Sequence, residues 1–201
     1  MDLRTRVVQI TDSTVLGEAE LFRRIEAVSR LPSDSRERYA VMLRDPGLSG
    51  AELLRLGTRL REATTAMGSA LWINDRVDLA IHLRAEVLHL GHLSMRVGDA
   101  HAILDSRALT HLSVGCHSVD EVGEASRAGA DLAVVSPIFA SPGKGEPLGL
   151  GAIASARSRA SGSVRLVALG GLDLEKATAC LSVGAEAVAS IRADLTALLS
   201  G

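Results

Sequence analysis

Val164-Arg165-Leu166-Val167-Ala168-Leu169-Gly170-Gly171-Leu172 is a run of apolar and β-branched residues that ends abruptly in paired glycines. A strand with one wet face would alternate polar and apolar positions, so this run predicts a strand buried on both faces. Asp173 follows as a polar, helix-starting residue. The two glycines leave backbone N–H groups that a ligand can approach with no Cβ in the way. A tight strand-to-helix turn with no ligand is the plainer reading of the same pair.

The same unit recurs along the chain. Apolar runs predict further strands at 7–12, 39–45, 70–75, 87–91, 112–116, 132–136 and 187–191, most of them turning polar at the end. Helical spacing predicts a helix at 18–31, with Leu21, Ile25 and Val28 on one side, stopped by Pro32; residues 33–38 read as a polar connection. Ser49 caps a helix at 51–66 with Leu53, Leu54, Leu56 and Leu60 in its stripe, and Ser118 caps one that opens Val119-Asp120-Glu121. Shorter helices are expected at 77–83, 98–105, 152–160, 173–183 and 195–199. Eight strands alternating with eight helices form the pattern of an α/β fold, the (β/α)8 TIM barrel. An open doubly wound sheet competes with it. No strand runs into a G-x-G-x-x-G turn and the eighth unit is complete, which favours the barrel. No linker or compositional break appears, so one domain over residues 1–201 is expected.

Composition narrows the function classes. Aromatics are confined to Trp72, Tyr39, Phe22 and Phe139, so the core must be built from Leu, Val, Ile and Ala. The net charge is −2 and no long basic stripe is present, which argues against nucleic acid as a partner. No apolar run reaches the roughly 18 residues of a membrane span, and the N-terminus lacks a signal-peptide pattern; no membrane partner and a cytoplasmic location are expected. Cys116 and Cys180 are too few and too far apart for a disulfide scaffold or a zinc site. Of the 22 basic residues only Lys144 and Lys176 are lysines, so a Lys can mark a position that needs a compact ammonium. The sequence leaves a homo-oligomer open.

In a barrel of this kind the site forms at the C-terminal ends of the strands. Asp12, Arg44, Asn74, Asp75, His89, His117, Ser136, the 137–149 loop, Gly170-Gly171 and Ser190 all collect there. Loops after the seventh and eighth strands commonly hold a phosphate, so Gly170-Gly171 and the Ala189-Ser190-Ile191 turn are expected to offer backbone N–H groups to one. The 137–149 loop is long for a βα connection and reads as a flap that brings Lys144 to an anionic substrate. A solvated surface loop is the alternative. His117 is a candidate general acid or base, although a histidine there also suits a purely structural hydrogen bond.

With these pieces assembled, the chain resembles the thiamine phosphate synthase and TenI family along nearly its whole length. The resemblance rests on I-T-D at 10–12, L-R-D at 43–45, I-N-D-R-V-D-L-A at 73–80, V-L-H-L-G at 87–91 and V-G-C-H-S at 114–118. It continues with G-A-D-L-A-V-V-S-P-I-F at 129–139, Lys144, A-L-G-G-L at 168–172 and G-A-E-A-V-A-S-I at 184–191. It implies one scaffold with two chemistries. The synthase displaces pyrophosphate from an aminopyrimidine and couples the fragment to a thiazole phosphate, using magnesium. The TenI-like tautomerase shifts a proton on a thiazole phosphate carboxylate, without a metal, and aromatises the ring.

Residue by residue, the resemblance implies substrate-binding roles for Arg44, Asn74, His89, Ser141, Lys144, Gly170 and Gly171, and a catalytic role for His117. The synthase pattern Gln-Leu-Arg-Glu-Lys is here Met42, Leu43, Arg44, Asp45 and Pro46, so only the Arg of its three binding residues remains. Its His-x-Gly-Gln-x-Asp is here matched by His89 and Gly91, then His92, Leu93 and Ser94, so one magnesium carboxylate is missing. A Ser expected two positions before the fifth-strand His is Gly115. These departures strike the diphosphate and metal half and spare the thiazole-phosphate half. A TenI-like thiazole tautomerase with no metal cofactor is therefore the leading expectation. The alternatives are a divergent synthase that holds Mg with Asp75, alone or with Asp12 or Asp45, and a catalytically silent phosphate-binding or regulatory barrel.

Overall fold

The computed structural model describes residues 3–91, 94–104, 111–160 and 164–200. Its parallel strands are β1 (Val7–Ile10), β2 (Tyr39–Leu43), β3 (Ala70–Asn74), β4 (Val87–Leu90), β5 (His111–Cys116), β6 (Leu132–Val135), β7 (Arg165–Leu169) and β8 (Ala187–Ser190). They hydrogen-bond in chain order and close between β1 and β8, in the register Val7↔Val188, Val8↔Ala189, Gln9↔Ser190. Around them run α1 (Glu18–Ser29), α2 (Ser33–Arg36), α3 (Gly50–Met67), α4 (Val77–His82), α5 (Val97–Leu104), α6 (Val119–Arg127), α7 (Gly151–Arg159) and α8 (Leu174–Ser182). The architecture is the (β/α)8 barrel. No described helix is long and apolar enough to cross a membrane.

Most strand side chains belong to one of two cores. Val8, Ile10, Ala40, Met42, Ala70, Trp72, Val87, Leu132, Val134, Val167, Ala187 and Ala189 fill the barrel interior. Their neighbours, among them Val7, Val41, Leu71, Leu88, Leu112, Ala133, Leu166 and Val188, pack outward under the helices. This is why the strands read as continuous apolar runs: both faces are dry. Arg165 is the exception within the stretch quoted first. Its guanidinium donates to the backbone carbonyls of Leu3 and Thr5, so it ties the N-terminal segment across the lower end of β7.

A repeated device serves that lower edge. Glu86, Asp131 and Glu186 each precede an even-numbered strand and follow an alanine. Their carboxylates accept from Leu71 N (2.7 Å), Leu112 N (2.8 Å) and Leu166 N (2.8 Å) at the start of the preceding strand. Buried N–H groups at a strand's beginning are costly to leave unpaired. Arg61 lies beside Glu86, His111 beside Asp131 and Arg157 beside Glu186.

Four expectations are corrected. Residues 33–36 form a helical turn, α2, whose first amides close onto Pro32 O. The last segment is a 3-10 turn (Thr196–Leu199), too short to set up an α-helical ladder. Most strands stop one or two residues early because their polar ends leave the ladder for the loops. Asp173 caps α8 with its carboxylate on Lys176 N (2.8 Å) and stays outside the helix. Asp105, expected to end the fifth helical stretch, lies outside the described residues.

Replacing Glu86 by Ala is expected to cost about 2–3 kcal/mol in chemical denaturation, since it strands a fully buried Leu71 N–H and unpairs Arg61. Gln at this position retains an acceptor and should cost less than half as much; equal losses would show that the acceptor is not what matters.

Candidate functional site

A cleft of about 690 Å³ opens at the C-terminal ends of the strands. Arg44, Asn74, Asp75, His89, His117, Ser136, Ser141, Lys144 and Gly170 line it, above a floor that includes Ile10, Met42, Val134 and Leu169. Residues from β2 to the β7 end thus converge as the sequence suggested. Gly171, Ala189 and Ser190 do not line this cleft.

On the β1–β4 side the acids are occupied. Asp12 accepts from Thr14 N (3.1 Å) and Thr14 Oγ1 (2.5 Å), and its other oxygen pairs with Arg44 Nη1 at 3.2 Å. Asp45, buried, binds Ser13 N (2.7 Å) and Ser13 Oγ (3.1 Å), which fastens the β1 loop to the end of β2. Asp75 takes Asn74 Nδ2 on one oxygen (2.7 Å); the other accepts from Gly91 N (2.9 Å) and Ser94 Oγ. Two facing carboxylates would repel unless a cation lay between them. A carboxylate facing a hydroxyl satisfies itself.

Magnesium held through a substrate diphosphate needs one or two carboxylates with oxygens to spare. Asp75 has both oxygens committed, Ser94 is no replacement for a second carboxylate, and Pro46 brings no charge. Among the described residues no three or more His, Cys, Asp or Glu side chains are arranged to hold a metal ion. These residues do not fit magnesium. His92 and Leu93 of the same segment lie outside the described residues.

On the opposite side, His117 Nδ1 lies 2.8 Å from Ser136 O. A carbonyl oxygen only accepts, so Nδ1 carries a proton, and whenever the ring is neutral its lone pair lies on Nε2. The backbone N–H of His117 donates to Glu121 Oε2 (2.7 Å), and Ser118 Oγ caps α6 through Glu121 N (3.1 Å). The residue is therefore fixed by the helix start behind it. His89 is buried in the barrel mouth with Nδ1 3.0 Å from Ser113 Oγ. Burial, helped by the Arg44 charge and opposed by Asp75, lowers its pKa to about 4, so its ring is neutral at physiological pH. Cys116 and Cys180 are buried free thiols raised to about 12 and about 11 by that burial, the opposite of an activated nucleophile.

Gly170 and Gly171 have positive φ, 102° and 65°. A Cβ on Gly170 would lie 2.7 Å from Pro137 Cα, and one on Gly171 2.4 Å from Ala140 O. The pair is glycine because the 137–140 backbone lies directly on it. Ile138 N bonds to Leu169 O (2.9 Å) and Phe139 N to Gly170 O (3.1 Å), while Leu148 N and Gly149 N return to Pro137 O and Ile138 O. The loop after β6 is thus strapped down at both ends, and the tip that carries Ser141 and Lys144 is shorter than the sequence suggested.

The amides without a protein acceptor differ slightly from those expected to face a phosphate. Ala189 sits inside the ladder on both sides, and Ser190 Oγ is taken by Ala193 N (2.8 Å). Among the described residues, the N–H groups of Gly171, Leu172, Ile191 and Arg192 have no protein acceptor. Sequence reasoning missed Ser113 behind His89, Glu121 behind His117 and the commitment of Asp45. The first and last are tertiary pairings with no signature of their own, and the second is a local contact within one helix start.

Comparison with known proteins points to one family and to the same fold. The family model described as thiamine monophosphate synthase matches residues 7–193. A thiamine-phosphate synthase of Methanoculleus marisnigri is 38% identical over 154 residues, covering 76% of this chain and 72% of that one. Another, of Clostridium novyi, is 28% identical over 198 residues, covering 97% and 93%. The solved thiamine phosphate pyrophosphorylase from Pyrococcus furiosus superposes with a TM-score of 0.77 at 23% identity, over 94% of this chain and 86% of that chain.

Two outcomes test the site's construction. The folded pKa of His89 lies below the unfolded value of about 6.5, so its contribution is fully present above that pH and is lost as pH falls towards 4. Stability should drop by about 3 kcal/mol across this window, and denaturation of His89→Gln should show a visibly shallower acid limb. Gly171→Ala should destabilise the fold by about 2–4 kcal/mol and raise proteolysis within the 137–149 loop, because the added carbon meets backbone and the φ is strained.

Proposed function

The chain belongs to the thiamine monophosphate synthase family, and from that membership we propose that it is a metal-independent thiazole phosphate tautomerase. The observation that carries this reading is the Asp75–Ser94 hydrogen bond, which stands where the synthase pattern needs a second magnesium carboxylate. Met42 and Pro46 remove two more diphosphate contacts, whereas Asn74, Ser141, Lys144 and Gly170, expected around a thiazole phosphate, line the cleft.

In this reading the phosphate sits on the backbone N–H groups after β7 and β8, and Arg44 or Lys144 faces the substrate carboxylate. His117 Nε2 takes a proton from the non-aromatic ring and returns it at a second carbon, so one C–H bond breaks and another forms. The Ser136 carbonyl accepts the Nδ1–H hydrogen bond, which fixes the tautomer before the reaction and stabilises the imidazolium during it. Neutral His89 is too deeply buried to hold a charge, and it shapes the pocket floor.

A second reading, a divergent synthase, is favoured by the names of the relatives. It would have to free Asp75 from Ser94 to hold magnesium. A side-by-side assay separates the two. The tautomerase reading expects conversion of the thiazole phosphate carboxylate tautomer that a chelator leaves unchanged and that His117→Ala slows by about 10²–10⁴-fold. Formation of thiamine phosphate from the two precursors, abolished by chelator, would establish the synthase instead. Tight binding of the thiazole phosphate with no turnover in either assay would mean a silent binder.

A further inference from the structure

Behind the turn that follows β8 lies a buried polar pair that the chemistry above does not use. Gln9, on the outward face of β1, is 4% exposed, and Arg24, on α1, is 7% exposed. Gln9 Nε2 donates to Ser190 O (3.2 Å), Ile191 O (2.9 Å) and Ile10 O (3.1 Å). Arg24 Nη1 donates to Gln9 Oε1 (3.0 Å), Nη2 to Arg192 O (3.0 Å) and Nε to Glu20 Oε1 (2.9 Å). Two buried side chains therefore hold three consecutive carbonyls of one turn.

In a trans peptide plane the C=O and N–H point in opposite directions. Drawing the carbonyls of Ser190, Ile191 and Arg192 back towards Gln9 and Arg24 turns the N–H groups of Ile191, Arg192 and Ala193 the other way. Ser190 Oγ takes the last of these, at 2.8 Å. The first two have no protein acceptor among the described residues. Successive amides on one side of a turn form an anion-binding concavity. Burying an amide and a guanidinium is costly even when their donors are satisfied, and an apolar pair would fill a strand–helix seam without that cost.

We infer that Gln9 and Arg24 are positioning residues for the ligand's phosphate, acting through the 190–192 backbone and touching no ligand atom themselves. The inference rests on the phosphate reading of this turn. Pre-set amides bind an anion without first being ordered, which is where affinity is gained. Glu20, paired with both Arg23 and Arg24, supplies the countercharge that keeps Arg24 in place.

The decisive variant is Gln9→Glu: it keeps the size of Gln9 and its pairing with Arg24 but has no N–H for the two carbonyls. Arg24→Met removes the third anchor. Binding of the thiazole phosphate and of its dephosphorylated alcohol is measured by calorimetry for wild type and both variants, with thermal midpoints recorded. Each variant should weaken the phosphate compound about tenfold or more, and leave the alcohol within about twofold of wild type. Equal losses for both ligands, or an unchanged phosphate affinity, would overturn the inference and leave the pair a packing feature. If Arg24→Met does not fold, Gln9→Glu decides alone. A wild type that shows no preference for the phosphate compound sinks the phosphate reading itself, and the inference with it, before any variant is needed.

Discussion

Closure of β1 onto β8 is the constraint on which the molecule depends. Eight short strands with two exposed edges would be an aggregation hazard; joined edge to edge they leave no unpaired ladder. Closure demands an interior that side chains can fill, and the mixture inside meets it. Trp72 and Met42 supply bulk, while Ala40, Ala70, Ala187 and Ala189 supply room. It also brings every strand's C-terminal end to one rim, so residues as distant in sequence as Arg44 and Gly170 share a cleft. The seam itself carries Gln9 against Ser190, which puts the last turn of the barrel under the control of the first strand and helix.

Much of the fold was legible because the two-faced burial of a parallel strand leaves continuous apolar runs, and 164–169 is the clearest. Polar residues at or just beyond the ends of most runs marked the rim, which is why Arg44, Asn74, Asp75, His89 and His117 were read as gathering there, and all five line the cleft. What escaped was local or tertiary. The α2 turn has four residues and no apolar stripe to announce it. The Ala-acid-apolar tripeptides at 85–87, 130–132 and 185–187 were present in the sequence, but their role as acceptors for a neighbouring strand needs the register. Ser190 was expected at the phosphate. It follows inward-facing Ala189 by one position, so alternation sends its side chain outward to cap the turn. Gln9 and Arg24 gave no signal, because a polar residue beside an apolar strand reads as exposed until a helix covers it.

The cleft has two unlike halves. On one side, every carboxylate is answered by an amide, a hydroxyl or a guanidinium, and the group is electrostatically closed. On the other, backbone amides after β7 and β8 are unanswered, and a histidine is held in one tautomer. A site that stabilises a departing diphosphate needs concentrated positive charge, whereas a proton shift needs a placed base and little else. The proton shift proposed above would draw on the second half, with its fixed imidazole and unanswered amides.

The strapping of the β6–α7 loop has a thermodynamic consequence. Its backbone bonds at 138–139 and 148–149 mean that most of the order in this long connection is acquired when the chain folds. Only the tip, residues 141–147, has conformational freedom left to lose over a ligand, at about 1–2 kcal/mol of entropy for each residue fixed. A fully loose loop would roughly double that burden and weaken binding accordingly. The glycine pair that admits the strap thus acts on affinity from a distance, by shortening the segment that must come to rest.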